Sequence, residues 1–189
     1  MWRTWLAGIA FVAAPAAGWL FYTLTFVSML TLLPPLFDAS IRPLATAAMP
    51  LAAIASSMLL GSALLRHMRA ISVVLIGFSA AIVLAACMIV APGSLALAVA
   101  LFAALGLVQG ASFATVPQLN DGLADRALAN AGIAQMGNLG NMLGTPVAIA
   151  ILSTIGYQGL PVLLIACYGA AIALHVLLAR RRASVRAVA

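Results

Sequence analysis

Few side chains in this chain of 189 residues could do chemistry. It has two histidines, two cysteines and three acidic residues, which are all aspartate. Cys87 and Cys167 form no CxxC pair, and neither His67 nor His175 has another ligand-type residue at metal-binding spacing. The sequence therefore predicts no metal site, no disulfide framework and no cofactor.

The polar residues that stand out are amides in one apolar stretch. On a helix that advances 100° per residue, Gln135, Asn138 and Asn141 fall on one face, and Asn130 and Thr145 extend it. A polar side chain in lipid needs either a partner or a water-filled cavity. We favour a substrate cavity wall, and the alternative is hydrogen bonding between helices.

Two further stretches carry neutral polar residues. One contains Gln109 and Ser112, and the other has Tyr22, Thr25 and Ser28 at three-residue steps. We expect Gln109, Ser112, Tyr22 and Thr25 to lie at the same cavity. For the three-residue stripe, a helix contact is an equally good interpretation.

Glycines adjoin the amide face. Gly137, Gly140 and Gly144 form a smooth strip beside it, and Gly106 and Gly110 repeat the GxxxG spacing earlier in the chain. Small residues at this spacing let helix backbones approach closely. All five are predicted to pack helices together.

The composition sets the environment of these residues. The chain is 66% hydrophobic and only 6% charged, with mean hydropathy +1.20. A soluble domain has about 25% charged residues, so the chain is predicted to be a membrane protein. Its apolar runs are continuous rather than alternating, which argues against a transmembrane barrel.

The breaks between apolar runs predict an all-α, polytopic membrane protein with six spans in a single bundle over residues 1–189. The first run is about twice as long as the apolar core of a signal peptide, so we keep it as a span. It is also long enough that it must tilt, kink at Pro15 or protrude from the bilayer. The spans are expected at about 4–33, 43–65, 70–91, 94–116 and 126–155, with the sixth running from the turn at 156–159 to 180.

Arginines indicate the orientation, because basic residues in short loops stay in the cytoplasm. All nine basic residues are arginine. Arg42 alone lies on one side, and the other eight lie on the side of both termini, which we expect to be cytoplasmic, in a bacterial inner membrane. These eight are Arg3, Arg66, Arg69, Arg126, Arg180, Arg181, Arg182 and Arg186. The arginines near the C-terminus are expected to act as topology anchors, with contact to anionic lipid as the alternative.

Two segments about 84 positions apart look alike. Asp38 and Arg42 precede the second span, as Asp121 and Arg126 precede the fifth. Three spans intervene, so the copies would have opposite orientations. This predicts a 3+3 inverted repeat, about 1–92 and 93–189, a construction common in secondary transporters.

One loop resembles a known motif. Gly61, Arg66 and Arg69 are in register with the cytoplasmic motif G-x-x-x-D-R-x-G-R of the major facilitator superfamily, while Leu65 and Met68 replace its Asp and its second Gly. The chain as a whole resembles the C-terminal, six-helix half of a transporter of that family. Residues 127–144 are similar to its eleventh helix.

The resemblance implies alternating access between two six-helix bundles, with a cavity lined by spans one, two, four and five and with spans three and six facing lipid. The expected partners are the bilayer, a small solute and a second six-helix half, identical or different. The chain would then be a truncated product, a split half or a half-size transporter. Since no charged residue lies deep in a span, we expect a neutral or amphipathic solute.

Two alternatives remain. Gly77-Phe-Ser79-Ala resembles the start of the GxSG motif of rhomboid-like intramembrane proteases, with His175 as the second group. The fourth position is Ala rather than Gly, and we expect no enzyme. The other alternative is a membrane scaffold or remnant that transports nothing.

Overall fold

The computed structural model describes residues 2–186, and the side-chain surroundings of residues 10–184. Arg3 and Arg186 therefore have side chains outside the described range. Within it there are no strands, and six helices are long and apolar enough to cross a membrane, as predicted. The helices are α1 (Trp2–Leu32), α2 (Arg42–Ala55), α3 (Ser62–Leu65), α4 (Ala70–Val90), α5 (Leu95–Leu119), α6 (Leu123–Ile155) and α7 (Gly159–Arg186).

Helices α2 and α3 together form span two. They are joined without a break by a π-helical segment, Ser56–Gly61, so that one apolar segment runs over Arg42–Leu65. The other five spans are α1, α4, α5, α6 and α7. Gly93 and Gly156 supply positive φ values of 77° and 79° in the turns after α4 and α6, a conformation that glycine adopts without steric cost.

Span ends differ from the predicted ones where proline lies close to a terminus. Helix α5 continues through Pro117 to Leu119, beyond the predicted end at 116. Proline removes one hydrogen bond to the preceding turn, and a single loss near a helix end leaves the last turn formed. Pro15 likewise lies inside the 31-residue helix α1 without ending it.

The six spans form two layers. In the front layer, α6 packs on α1, α1 on α5, and α5 on the π-segment and α2, which gives the order α6, α1, α5, α2. In the back layer α4 packs on α5, α7 packs on α1, and α4 and α7 pack on each other. The four front spans are one, two, four and five, the set expected to line a cavity.

Burial follows this arrangement. In the apolar 18-residue stretch of each span, 50% and 56% of residues are buried in spans one and four, against 17% in each of spans two and five. The two ends of the front layer are therefore its exposed edges. Spans three and six lie between these extremes, at 39% and 28%.

Glycines lie where the front helices touch. A Cβ on Gly140 would lie 2.7 Å from the carbonyl oxygen of Leu20 on α1, and a Cβ on Gly106 would meet the backbone of Ala53 on α2. Gly144, Gly137 and Gly110 also lie at these contacts, against Leu24, Trp19 and Ser57.

Candidate substrate cavity

An aromatic ladder lies where α1 meets α5. Trp19 stacks on Tyr22 with ring centroids 4.7 Å apart, and Tyr22 stacks on Phe26 at 5.0 Å. Two rings of α5 complete the ladder: Phe113 meets Trp19 edge-on at 4.9 Å, and Phe102 lies 5.0 Å from Phe26. Phe113 is 48% exposed whereas Trp19 is 8% exposed, so the ladder has one open end.

A hydrogen bond ties the two helices together at this ladder. The Tyr22 hydroxyl donates to Oε1 of Gln109 at 3.1 Å. Gln109 remains partly exposed, and its amide nitrogen makes no hydrogen bond within the described residues. Ser112, one turn further along α5, is buried. Of the residues predicted to form the cavity, Tyr22, Gln109 and Ser112 therefore lie close together, and Gln109 is the accessible one.

Thr25 lies elsewhere. Its hydroxyl forms a 2.8 Å hydrogen bond with the Tyr168 hydroxyl of α7, between the two layers, which favours the helix-contact interpretation of this residue over the cavity interpretation. The physical reason is helical geometry, because three-residue steps rotate a stripe by about 60° each. Tyr22 accordingly faces α5, Thr25 faces α7, and Ser28 faces Gly144 of α6.

The amides of α6 lie on its exposed side. Gln135, Asn138 and Asn141 are all exposed, whereas Gly137 is buried against Trp19. Helices α1 and α6 run parallel, since Gly137 lies at Trp19 and Gly144, later in α6, lies at Leu24, later in α1.

Two contacts show which way the amides point. The Thr23 hydroxyl of α1 donates to the carbonyl of Met136 at 3.5 Å, and a Cβ on Gly137 would lie 2.8 Å from Nε1 of Trp19. At about 100° per residue, Asn141 and Asn138 lie on the side of Gly137 away from Met136. They therefore lie on the front of the bundle, beside the aromatic ladder.

Helix α7 contributes a polar seam that sequence reasoning missed. Tyr168, His175 and Arg182 recur every seven residues and all face α1. Tyr168 bonds to Thr25, and Arg182, only 7% exposed, donates to the backbone carbonyl of Ala10 at 3.1 Å. The seven-residue spacing was the available signal, because residues seven apart lie on one side of a helix.

His175 lies in the middle of this seam. It is 1% exposed, and neither ring nitrogen has a hydrogen-bond partner within the described residues. The missing side chain of Gly18 makes room for it, since a Cβ there would lie 2.5 Å from Nε2. Ser79 is exposed and makes no hydrogen bond to His175, while its neighbour Phe78 contacts the ring. Ser79 and His175 are therefore not joined as a nucleophile pair.

The loop with the family-like motif is held by α5. Oε1 of Gln118 accepts a 2.8 Å hydrogen bond from the backbone N–H of Ala70, the first residue of α4. Gly61 is buried at the end of the π-segment, and Arg66 and Arg69 are exposed. The two arginines are free to meet solvent or lipid headgroups.

The two sequence copies have similar local contacts. Nη2 of Arg42 donates to the carbonyl oxygens of Pro35 and Phe37, both at 3.3 Å. Nε of Arg126 donates to the carbonyl of Asn120 at 2.8 Å. Each arginine thus closes the turn that leads into its helix.

Comparison with known proteins finds no matching family model and no similar curated protein or solved structure.

Proposed function

We propose that this chain is one six-helix half of a secondary transporter of the major facilitator type, which moves a small uncharged solute by alternating access. The observation that carries the proposal is the front layer. Its two outer spans are the least buried of the six, at 17% each, and its front bears the ladder and the amides. Such a surface requires a protein partner or a water-filled cavity in front of it, because exposing amide side chains to acyl chains costs free energy.

The helix contacts support a 3+3 repeat. If spans one, two and three are exchanged with spans four, five and six, the α1–α6 contact becomes the α5–α2 contact, and α4–α5 becomes α7–α1. The contacts α1–α5 and α4–α7 map onto themselves. The turns closed by Arg42 and Arg126 are exchanged in the same way.

A second six-helix bundle is the proposed cover. It would contact α2 and α6, the exposed edges, and enclose a cavity between the two front layers. We place the chain in a bacterial inner membrane with both ends in the cytoplasm, in accord with the eight-to-one distribution of its arginines. The partner is a second copy or a different chain.

The solute class follows from the groups on the front. Phe113 offers an exposed ring face, Gln109 an amide nitrogen, and Asn138 and Asn141 donors and acceptors. None of these side chains is charged. The combination suits a flat, neutral solute with several hydrogen-bonding groups, such as a nucleoside or an aryl glycoside.

Transport tests the proposal. The chain, with any partner that copurifies, is reconstituted in liposomes, and uptake of a panel of radiolabelled nucleosides and aryl glycosides is measured. We expect the double variant Asn138→Leu/Asn141→Leu to lose uptake and keep its thermal stability, whereas Leu143→Met, at an exposed position about 80° from Gln135 on the side away from Asn138, keeps both. Lowered stability with unchanged uptake would identify the amides as contacts between helices. A particle that holds a single 19.3 kDa chain and still transports would refute the second bundle.

A further inference from the structure

The arginine-rich end of the back layer carries a group of charges with no protein partner. Arg66 and Arg69 lie in the loop before α4, and Arg180 and Arg181 lie in the last turns of α7. All four are exposed, and within the described residues none of their guanidinium groups makes a hydrogen bond or an ion pair. Arg182 differs from them, because it is buried and bound to α1.

Two contacts fix the register of α4 against α7. Nε2 of Gln158 donates to the carbonyl of Ile89 at 3.4 Å, so the start of α7 lies at the end of α4 and the helices are antiparallel. Further along, the ring of Phe78 lies between those of Tyr168 and His175, at 5.4 and 6.4 Å.

This register brings the arginines to one depth. Arg69 lies nine residues before Phe78, and Arg180 and Arg181 lie about nine residues beyond the midpoint of Tyr168 and His175. At about 1.5 Å per residue, both groups are about 13 Å from the level of Phe78. Packed helices are about 8–10 Å apart, so the guanidinium groups border a single patch.

The surface above the patch is apolar. Ile76 on α4 is 40% exposed, and Val176 and Leu177 on α7 are 39% and 56% exposed. These side chains lie on the membrane side of Arg69 and Arg180. A ligand that fits both parts has a negative head at the level of the arginines and hydrocarbon chains along the α4–α7 pair.

Acidic side chains at this end do not neutralise the patch. Asp121 lies in the α5–α6 connection and Asp125 in the first turn of α6, and both are at the same end because Gln118 bonds to Ala70. Within the described residues, neither carboxylate forms an ion pair with an arginine.

From this geometry we propose that the patch formed by Arg66, Arg69, Arg180 and Arg181 binds the phosphate headgroup of an anionic phospholipid, whose acyl chains lie against α4 and α7. Guanidinium groups suit a phosphate, since each can donate two parallel hydrogen bonds to it. The site lies on the back layer, away from the proposed solute cavity, and does not depend on transport.

The experiment compares lipid selectivity with and without these charges. The full chain is reconstituted in phosphatidylcholine vesicles with spin-labelled phosphatidylglycerol or spin-labelled phosphatidylcholine, and the protein-bound fraction of each label is measured by electron paramagnetic resonance. We expect preference for phosphatidylglycerol. Each arginine near a membrane surface contributes roughly a five-fold factor, so Arg69→Gln/Arg180→Gln/Arg181→Gln should weaken the selective site about 100-fold.

Control variants distinguish a defined lipid-binding site from general electrostatic attraction between the protein and anionic lipid. Arg69→Lys/Arg180→Lys/Arg181→Lys keeps the charge and should retain most of the selectivity. Arg42→Gln removes an arginine at the opposite end of the bundle and should leave the selectivity unchanged. Equal loss in this variant, or full selectivity in the triple Gln variant, would overturn the proposal. Displacement of the label by millimolar inorganic phosphate would show that the acyl chains add nothing, and would overturn the lipid assignment.

Discussion

Gly140 gives the sharpest test of how the front layer is held together. Changing it to alanine adds a Cβ that would lie 2.7 Å from the carbonyl oxygen of Leu20 and 2.8 Å from the backbone nitrogen of Leu24. Both neighbours are main-chain atoms of α1, so neither can rotate away. Helix α6 must instead move out by several tenths of an ångström along its main contact.

The cost follows from overpacking. Forcing extra atoms into a packed contact costs about 1–3 kcal/mol. Part of this cost is offset, because alanine is more favourable than glycine in a helix interior by about 1 kcal/mol. We expect Gly140→Ala to lower the free energy of unfolding by up to about 2 kcal/mol, and to be about 1–3 kcal/mol less stable than an alanine variant whose added Cβ meets no neighbour.

Gly169 is the matched control. It also lies within a helix, α7, but a Cβ there would meet nothing within 4 Å. Gly169→Ala should therefore be neutral or stabilising by up to about 1 kcal/mol. The two variants and the unchanged chain are compared by titration with sodium dodecyl sulfate in mixed micelles, followed by circular dichroism. Equal stability of the two alanine variants would refute the close approach of α6 to α1.

Three further substitutions test hydrogen bonding inside the bundle by the same unfolding titration. Tyr22→Phe keeps the ring stack and loses the bond to Gln109, which should cost about 1 kcal/mol; an unchanged midpoint would contradict that bond. Thr25→Val should cost about 1 kcal/mol more than Thr25→Ser, because only serine can still bond to Tyr168, and equal losses would argue against it. His175→Leu removes two unpartnered buried nitrogens and should stabilise the fold by about 1–2 kcal/mol; destabilisation would mean that the ring has a partner such as water.

Much of the fold was predictable from apolar runs and glycine spacing. Six spans followed from the breaks at proline, glycine and charged residues, because a helix in lipid must satisfy its own backbone. The strip of Gly137, Gly140 and Gly144 identified the side of α6 that meets another helix, since only glycine allows so close a contact. The sequence did not show that the neighbouring helix is α1, because a strip of small residues fits any helix that packs closely against it.

The candidate site was less predictable, for reasons visible in α1. Tyr22 and Thr25 look alike in sequence, yet they bond to different helices because the three-residue step rotates around the axis. Trp19 and Phe113 are ordinary apolar residues in sequence, and only the α1–α5 contact joins their rings. The burial of Arg182 was likewise not predictable, because Arg182 directly follows two exposed arginines and the sequence near the C-terminus gives no sign that the three differ.

The polar seam between α1 and α7 limits how this bundle can deform. Tyr168, His175 and Arg182 are matched in turn with Thr25, Gly18 and Ala10. A slide of one helical turn would break both hydrogen bonds at once and drive the imidazole into a backbone that has no gap for it. These three contacts hold α1 and α7 in one register, so we expect the two helices to move together as a rigid pair. Relative motion between helices is then expected at α2 and α6, the outer helices of the front layer.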